Sequence, residues 1–209
     1  MRLKHIKGSE ETIKKSPYVV IDPEKHRGKW NNIFENTNPI KIEIGMGKGN
    51  FIIENALRYP NINFIGIDKY PSVLIKATER LENIEIPNLR LLCTDAASIE
   101  TIFDHEIDTV YLNFSDPWPK NRHERRRLTS FPFLEKYELL FKEKSHITFK
   151  TDNRLLFEFS LISVTEFGYH LKKVCLDLYQ ELPEDNIPTE YERKFSSKGY
   201  PIYLLDAEK

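Results

Sequence analysis

A glycine-rich turn between an apolar run and a helical run is the first stretch whose residues could do chemistry. It lies within Lys41–Phe51 and spaces Gly45, Gly47 and Gly49 as G-x-G-x-G. Glycines at the carboxyl end of a first parallel strand let a ligand approach the backbone closely. The spacing differs from the G-x-G-x-x-G of dinucleotide folds. Glu43 is a poor neighbour for a phosphate and a good one for a cationic ligand, such as the amino acid end of S-adenosylmethionine. The alternative is an ordinary strand-to-helix turn that needs glycine.

Carboxylates follow the next two apolar runs. Asp68 ends the run Phe64–Asp68, about 20 residues past the glycines, where a carboxylate can accept both hydroxyls of a ribose. Asp95 follows the third run and is placed to meet the exocyclic amine of an adenine. The alternatives are that Asp68 forms a turn and that Asp95 caps a short helix.

The most specific signal is the segment Tyr111–Lys120, which reads YLNFSDPWPK. Its apolar part predicts a strand that carries Asp116 at its carboxyl end, and Pro117 and Pro119 restrict the backbone beyond it. Trp118 adds a rigid aromatic platform. Flipped bases are recognised by polar groups at their edges and held by stacking, so the segment predicts a base-binding pocket.

Basic residues follow this segment directly. Residues 120–127 hold five Lys/Arg and one acidic residue, and residues 1–29 hold eight Lys/Arg and four acidic residues. The whole chain has a net charge of −1, so the remainder carries −9. A charge run is usually a solvated surface, but arginines beside a base pocket pair with phosphates and would guide a polyanion into it. The segregated charge therefore indicates a nucleic-acid partner despite the neutral total.

Two later segments add weaker signals. Asp152 follows the predicted fifth strand and either belongs to the site or caps the next helix with Asn153. The segment Thr189–Glu192 could contact a substrate, and its Thr-x-x-Glu spacing also fits a capping box. Cys93 and Cys175 lie in apolar runs and are predicted to be buried, and the histidines have no ligand spacing, so no metal is expected.

The elements that must position these residues alternate after about residue 39. Short β-rich runs and helical stretches predict an α/β fold with a doubly wound, mostly parallel seven-stranded sheet. The predicted strands are Ile40–Ile44, Asn63–Ile67, Leu89–Cys93, Thr109–Phe114, Ile147–Lys150, Leu171–Tyr179 and Tyr200–Leu205. The predicted helices are near 50–59, 71–83, 97–103, 130–143 (capped by Ser130) and 153–167. The connection 180–199 is long enough to be a functional loop.

The composition agrees with a single globular core. The chain has 209 residues, 40% of them apolar and 12% aromatic, which excludes a disordered or collagen-like chain. We predict a basic extension over residues 1–38 that packs on a single domain over 39–209. No run reaches the roughly 18 apolar residues of a membrane span, and the amino terminus has no apolar signal core, so a cytosolic protein is expected.

These residues together resemble the bacterial tRNA (guanine-N7)-methyltransferases, members of the class I S-adenosylmethionine-dependent superfamily. The resemblance runs from about residue 28 to residue 209 and is carried by Glu43–Phe51, Phe64–Asp68, Asp95-Ala96, Tyr111–Leu128, Phe149–Arg154 and Thr189–Phe195. The block Ser115–Arg127 is specific to the family, whereas the glycine turn marks only the superfamily. The resemblance implies a Rossmann-like fold, S-adenosyl-L-methionine as cofactor, tRNA as partner, and methylation of the variable-loop guanine at position 46.

The resemblance also implies a role for each matching residue. The cofactor would be bound by Glu43, Gly45, Gly47, Gly49, Asp68, Asp95 and Asp116, with Asp116 also catalytic. The substrate would be contacted by Lys120, Asp152, Thr189, Glu190, Tyr191 and Glu192. The RNA would be contacted by Arg122, His123, Arg125, Arg126 and Arg127. Either a monomer or a homodimer fits the sequence.

Three other functions share parts of this pattern. A methyltransferase that acts on an exocyclic base amine would have the same acid-proline-aromatic loop and stays open as the alternative. A nicotinamide dehydrogenase is disfavoured by the glycine spacing and by Glu43. An RNA-binding module without a cofactor would not need carboxylates at the ends of four predicted strands.

Overall fold

The computed structural model describes residues 8–181 and 186–209. Its seven strands form one sheet in the order β3-β2-β1-β4-β5-β7-β6. They are β1 (Ile40–Ile44), β2 (Asn63–Asp68), β3 (Leu89–Cys93), β4 (Thr109–Asn113), β5 (His146–Thr151), β6 (His170–Cys175) and β7 (Tyr203–Glu208). Strands β1 to β5 pair in parallel, and β7 runs antiparallel to both β5 and β6. The doubly wound, mostly parallel sheet is therefore confirmed. The strand order reverses between β1 and β4, where such folds have their ligand crevice.

Seven α-helices and three 3₁₀ segments connect the strands within the described residues. The helices are α1 (Ser9–Ile13), α2 (Trp30–Phe34), α3 (Asn50–Arg58), α4 (Pro71–Leu81), α5 (Phe131–Glu138), α6 (Arg154–Glu166) and α7 (Glu190–Ser196). The 3₁₀ segments are Pro23–His26, Ala96–Thr101 and Asn121–Arg126. In this part of the chain, every helix is too short or too polar to cross a lipid bilayer.

The predicted caps of α6 and α5 have different outcomes. The Asn153 side chain accepts from the amide of Leu156 at 2.9 Å and caps α6, so Asp152 is left for another role. Ser130 precedes α5 as predicted, but its side chain does not cap that helix. Its hydroxyl donates instead to the Arg125 carbonyl at 3.1 Å, because the chain folds back there.

Strand boundaries at the carboxyl-terminal side differ from the prediction. Strand β6 ends at Cys175 rather than Tyr179, and β7 starts at Tyr203 rather than Tyr200. The predicted loop 180–199 contains α7, and residues 182–185, including Pro183, lie outside the described residues. Cys175 is buried as predicted, whereas the prediction was wrong for Cys93 at the end of β3, which is only half-buried.

Apolar layers cover the two faces of the sheet. On one face, alternate residues Ile40, Ile42 and Ile44 of β1 pack with α5 and α6 residues in the larger cluster, as the two-residue period of a strand dictates. On the other face, α3 and α4 pack against the β2–β3 side. Gly66 in β2 permits this close packing, since a Cβ there would lie 2.3 Å from the sulfur of Met46.

The segment before β1 packs on the core. Trp30 is fully buried, and its indole nitrogen donates to the Ile102 carbonyl at 3.0 Å. Val19 forms a parallel bridge with Leu91, beyond the β3 edge. Residues 1–7, which hold the start of the basic extension, lie outside the described residues.

Candidate active site

The glycine turn forms an open backbone cradle at the end of β1. Gly45, Gly47 and Gly49 all have positive φ, at 79°, 57° and 78°, which favours glycine. The amides of Gly45 and Met46 both donate to the Ile67 carbonyl, at 2.8 and 3.0 Å, and fold the turn over the end of β2. A Cβ at Gly45 or Gly47 would meet nothing within 4 Å, so the backbone there is accessible to a ligand.

Glu43 lies directly below this cradle and is 1% exposed. Its Oε1 accepts from Nδ2 of Asn113 at 2.9 Å, while no described residue hydrogen-bonds to its Oε2. Burial raises the pKa of Glu43 to about 7, against the opposing effects of the Asn113 hydrogen bond, the positive charge of Lys150 and, most weakly, the backbone amide of Ile52 in the first turn of α3. An unpartnered buried carboxylate oxygen beside a glycine cradle fits the cationic amino acid end of S-adenosylmethionine.

Asp68 forms the turn and stays available to a ligand. Its Oδ2 accepts from the amide of Gly47 at 3.1 Å, and its Oδ1 accepts from the amide of Tyr70 at 3.0 Å. Burial raises the pKa of Asp68 above its usual value. A carboxylate has about four lone-pair positions, so two backbone bonds leave acceptor capacity for ribose hydroxyls.

Asp95 adopts the role that the capping alternative predicts. It is exposed, and its Oδ1 accepts from the amide of Ala97 at 2.9 Å at the start of the 3₁₀ segment Ala96–Thr101. The pairing of β2 with β3 places Asp68 beside Cys93, two residues before Asp95. Both carboxylates therefore lie along the same sheet edge as the cradle.

The loop after β4 holds Asp116 in an exposed position. Two aromatic residues flank it in the left-handed region, Phe114 with φ 52° and Trp118 with φ 42°, which is rare for bulky side chains and marks local strain. The Arg127 guanidinium donates to the carbonyls of Pro117 and Trp118, both at 3.2 Å. It also lies 4.3 Å from the ring of Phe159 and thereby holds the strained loop in place.

The basic run therefore divides into two kinds of residue. The Arg127 side chain is only 11% exposed, so its guanidinium is used by the loop and little of it faces solvent. Lys120, Arg122, Arg125 and Arg126 are exposed. The guanidinium of Arg126 lies 5.0 Å from the ring of Trp118, and His123 contacts the same ring edge-on at 5.7 Å. The aromatic platform predicted for a base is thus in contact with two residues of the basic run.

A buried ion pair anchors α7 to the end of β5. Nζ of Lys150 lies 3.1 Å from Oε2 of Glu192, and the two side chains are 5% and 0% exposed. The same Nζ donates to Oδ1 of Asn186 at 2.6 Å. Glu192 also completes the predicted capping box with Thr189, whose Oγ1 accepts from the Glu192 amide at 2.9 Å. Glu192 is therefore interior and does not face the crevice.

The remaining residues of the segment connect α7 to the crevice. The Tyr191 hydroxyl donates to Asp152 at 3.4 Å, and its ring packs on Phe114 at 4.9 Å. Glu190 forms ion pairs with Lys48 of the glycine turn, at 3.0 Å, and with Arg80 of α4. The structure thus brings together the glycine turn, the Asp116 loop, the β5 end and α7.

Sequence reasoning missed two of the residues that hold this arrangement. Lys150 looked like the last residue of an apolar strand, and Asn113 like an ordinary strand residue. The only available signal was a polar residue at a predicted buried strand end. Within residues 8–181 and 186–209, no group of three or more His, Cys, Asp or Glu side chains could hold a metal ion.

Comparisons with known proteins extend these observations. A family model described as "Putative methyltransferase" matches residues 37–205. The tRNA (guanine-N(7)-)-methyltransferase of Lachnoclostridium phytofermentans is 54% identical over 99% of this chain and 98% of that protein. The protein of the same name from Bacillus licheniformis is 49% identical over 100% of this chain and 99% of that protein.

Solved structures share the fold at low identity. An antibiotic-related methyltransferase covers 98% of both chains with a TM-score of 0.68 and 15% identity. A mutant 16S rRNA (adenine(1408)-N(1))-methyltransferase from Catenulisporales acidiphilia, solved with its cosubstrate SAM, has a TM-score of 0.60 at 15% identity. The match covers 90% of this chain and 91% of that one. These similarities show a class I methyltransferase fold.

Proposed function

This chain belongs to the bacterial tRNA (guanine-N7)-methyltransferase family, and we propose that its target is the variable-loop guanine at position 46 of tRNA. It is an S-adenosylmethionine-dependent enzyme that methylates guanine N7 in tRNA. The observation that carries the proposed site is the exposed Asp116, held in a strained loop beside the glycine cradle and next to a basic surface. As a tRNA-modifying enzyme, it would act in the cytoplasm.

The cofactor would lie across the ends of β1, β2 and β3. Gly45 and Gly47 offer accessible backbone, whereas Gly49 packs closely against Ala77 of α4 and completes the turn. Glu43 offers a buried anionic acceptor for a positive charge. Asp68 would accept the ribose hydroxyls, and Asp95, with one oxygen on its cap, would meet the adenine. When bound, S-adenosylmethionine supplies a methyl group attached to a sulfonium sulfur. The sulfur keeps the electron pair of the carbon–sulfur bond as the methyl group leaves.

The protein's part in the reaction is mainly alignment. Guanine N7 has an in-plane lone pair and carries no proton, so no general base is needed. Holding two reactants in line can contribute about 7–11 kcal/mol to lowering the barrier. The purine becomes cationic as the new N7–C bond forms, and the exposed carboxylate of Asp116 would stabilise that developing charge.

The tRNA would be held by two surfaces on either side of Asp116. Arg122, His123, Arg125 and Arg126 would contact phosphates, which position the RNA and make its binding salt-dependent. On the other side, Lys120, Asp152 and the segment Thr189–Tyr191 would contact the target nucleotide. Glu192 would act from the interior, by holding this segment to Lys150.

Nucleoside analysis tests this proposal directly. The protein is incubated with methyl-labelled S-adenosylmethionine and an unmodified tRNA transcript that has guanine at position 46, and a matched transcript has adenine there. We expect labelled N7-methylguanosine from the first transcript and none from the second. N7-methylguanosine from both transcripts would contradict position 46, and a methylated exocyclic amine would favour the alternative enzyme.

A further inference from the structure

Two buried acceptor atoms lie together at the ends of β1 and β4. Oε2 of Glu43 and Oδ1 of Asn113 are both without a hydrogen-bond partner among the described residues. The two residues are 1% and 6% exposed. Buried polar atoms are nearly always paired, so two orphaned acceptors at one place indicate a missing donor. No positive side chain of the described chain hydrogen-bonds to either atom.

The geometry places this pair at the ligand crevice. Nδ2 of Asn113 donates to Oε1 of Glu43 at 2.9 Å, which orients the carboxylate and the amide relative to each other. In the β1–β4 pairing Ile44 lies beside Leu112, so Asn113 follows at the level of Gly45, the first residue of the glycine turn. The two free acceptors, one on β1 and one on β4, therefore lie beside the turn at which the cofactor would bind.

We propose that Asn113 is a further cofactor-binding residue, and that its Oδ1 and Oε2 of Glu43 together accept the ammonium group of the cofactor's amino acid end. An ammonium group has three N–H donors, and this pair offers two acceptors, one of them anionic. The proposal rests on the S-adenosylmethionine dependence of the enzyme and not on the position of the methylated guanine.

The charges that face Glu43 are consistent with a cationic ligand. Burial and Asp68 on β2 raise the pKa of Glu43, while the Asn113 hydrogen bond, Lys150 on β5 and the Ile52 amide of α3 lower it, so that it lies at about 7. Tyr111 on β4 is uncharged at neutral pH, as tyrosine ordinarily is, and burial raises its pKa further. A ligand-free protein at neutral pH therefore holds a proton on part of its Glu43 side chains. An incoming ammonium group would displace that proton.

Asn113 also connects this ligand site to the catalytic loop. It is the last residue of β4, and the next residue, Phe114, has the first strained dihedral of the Asp116 loop. The Phe114 amide donates to the Lys150 carbonyl at 2.8 Å, which holds the start of the loop to β5. Contact of the ammonium group with Asn113 would thereby orient the loop that meets the guanine.

Binding of two related nucleosides tests the role of Asn113 without any turnover. S-adenosylhomocysteine carries the ammonium group, and 5′-methylthioadenosine has the same adenosine and sulfur but lacks the amino acid. Affinities of both are measured by calorimetry for the wild type and for Asn113→Leu, which keeps the side-chain shape. We expect Asn113→Leu to weaken S-adenosylhomocysteine binding by about tenfold or more, and 5′-methylthioadenosine binding by less than about twofold.

Two further variants separate this role from a loss of folding. Asn63→Leu removes another fully buried asparagine, which bonds to Asn36 at the opposite edge of the sheet. It should lower the melting temperature and leave the ratio of the two affinities unchanged. Asn113→Asp, protonated beside Glu43, would still offer an O–H donor and a free acceptor, so it should retain most of the preference for S-adenosylhomocysteine.

Each outcome distinguishes the possibilities. Equal weakening of both ligands by Asn113→Leu, or no weakening of either, would overturn the role of Asn113. Should Asn113→Leu fail to fold, an Asn113→Asp protein that had lost its preference for S-adenosylhomocysteine would overturn it equally. Failure of the wild type to bind S-adenosylhomocysteine would instead contradict the cofactor assignment itself.

Discussion

The glycine turn and the Asp116 loop both follow a parallel strand at the same sheet edge, but they hold their shapes in different ways. The turn uses glycine at each of its three positive-φ positions, and its amides donate to the Ile67 carbonyl and the Asp68 side chain at the end of β2. The loop places two aromatic residues in the same region; the Lys150 carbonyl holds its start, and the Arg127 guanidinium holds the carbonyls of Pro117 and Trp118. The acid of the turn is buried, and the acid of the loop is exposed. The glycine turn is thus built without strain, whereas the Asp116 loop stores strain that the contacts of Arg127 help to maintain.

The largest effect is expected from removing the exposed carboxylate of the loop, that of Asp116. Asp116→Ala should lower the turnover number by about 10²- to 10³-fold, as loss of a preorganised charge at a reacting centre does elsewhere. The tRNA affinity should change little, because phosphate contacts supply most of it. Single-turnover rates at saturating substrates, together with filter binding of tRNA, measure the two quantities. Equal losses in both would contradict the catalytic role.

The second effect concerns the contact that maintains the loop. Arg127→Lys keeps the charge but cannot span two carbonyls with a planar fork, so the loop should relax. We expect the turnover number to fall by about tenfold or more, since small misplacements at a reacting centre are costly. S-adenosylhomocysteine affinity should stay within about threefold, as measured by calorimetry.

A matched change at an exposed arginine shows whether the position or the charge matters. Arg125→Lys also retains its charge, and Arg125→Ala removes it from the proposed phosphate surface. Only Arg125→Ala should flatten the salt dependence of tRNA affinity. If Arg127→Lys had the same turnover number as Arg125→Lys, the two carbonyl contacts of Arg127 would not be what maintains the loop.

The third effect tests the buried acid, Glu43, through the pH dependence of ligand affinity. The pKa of Glu43 lies at about 7, and the proposed contact with the ammonium group of the cofactor would require the ionised form. S-adenosylhomocysteine affinity should therefore fall as the pH drops below about 7, by close to tenfold per pH unit, and level off above it. Calorimetry from pH 5.5 to 8.5 should show this slope in the wild type. A slope that persisted in Glu43→Gln would assign the titration to another group.

The smallest effect is expected from adding strain to the turn. Gly45→Ala places a Cβ in open space, so only the positive φ opposes it, at a cost of roughly 1–2 kcal/mol. This cost should appear as a loss of about that size in the binding free energy of S-adenosylhomocysteine or in the free energy of unfolding. Calorimetry and urea denaturation measure the two, and Gly28→Ala, at another open positive-φ glycine remote from the crevice, is the control. The control Gly28→Ala should lower the free energy of unfolding and leave S-adenosylhomocysteine affinity unchanged.

The sequence predicted the sheet well because strands β1 to β4 are short runs rich in Ile, Leu, Val and Phe, as expected for parallel strands that are mostly buried on both faces. Ile40–Ile44 and Leu89–Cys93 have the predicted bounds, and the order of motifs placed Glu43, Asp68 and the Asp116 loop at one edge. The capping box of Thr189 and Glu192 was also visible, because both members are only three residues apart. The sequence was therefore sufficient to predict features that depend on residues close together in the chain.

The sequence could not predict contacts whose partners are distant. Lys150 pairs with a carboxylate 42 residues away, and nothing near it in the chain marks it as buried. Arg127 resembles its exposed neighbours in composition, and only the fold of the loop separates them. Ser130 was expected to cap α5, and the reversal of the chain before that helix gave its hydroxyl another acceptor.

The position of β7 has a consequence for the order in which this protein can form. Strand β7 lies between β5 and β6, although it follows both in the chain. While a ribosome is still making residues before Tyr203, β5 has one open edge and β6 has no neighbour to pair with. The last step of sheet assembly is therefore an insertion. A nascent chain stalled after α7 would already hold the glycine turn and the Asp116 loop, yet β5, which anchors α7 through Lys150, would still be an unpaired edge.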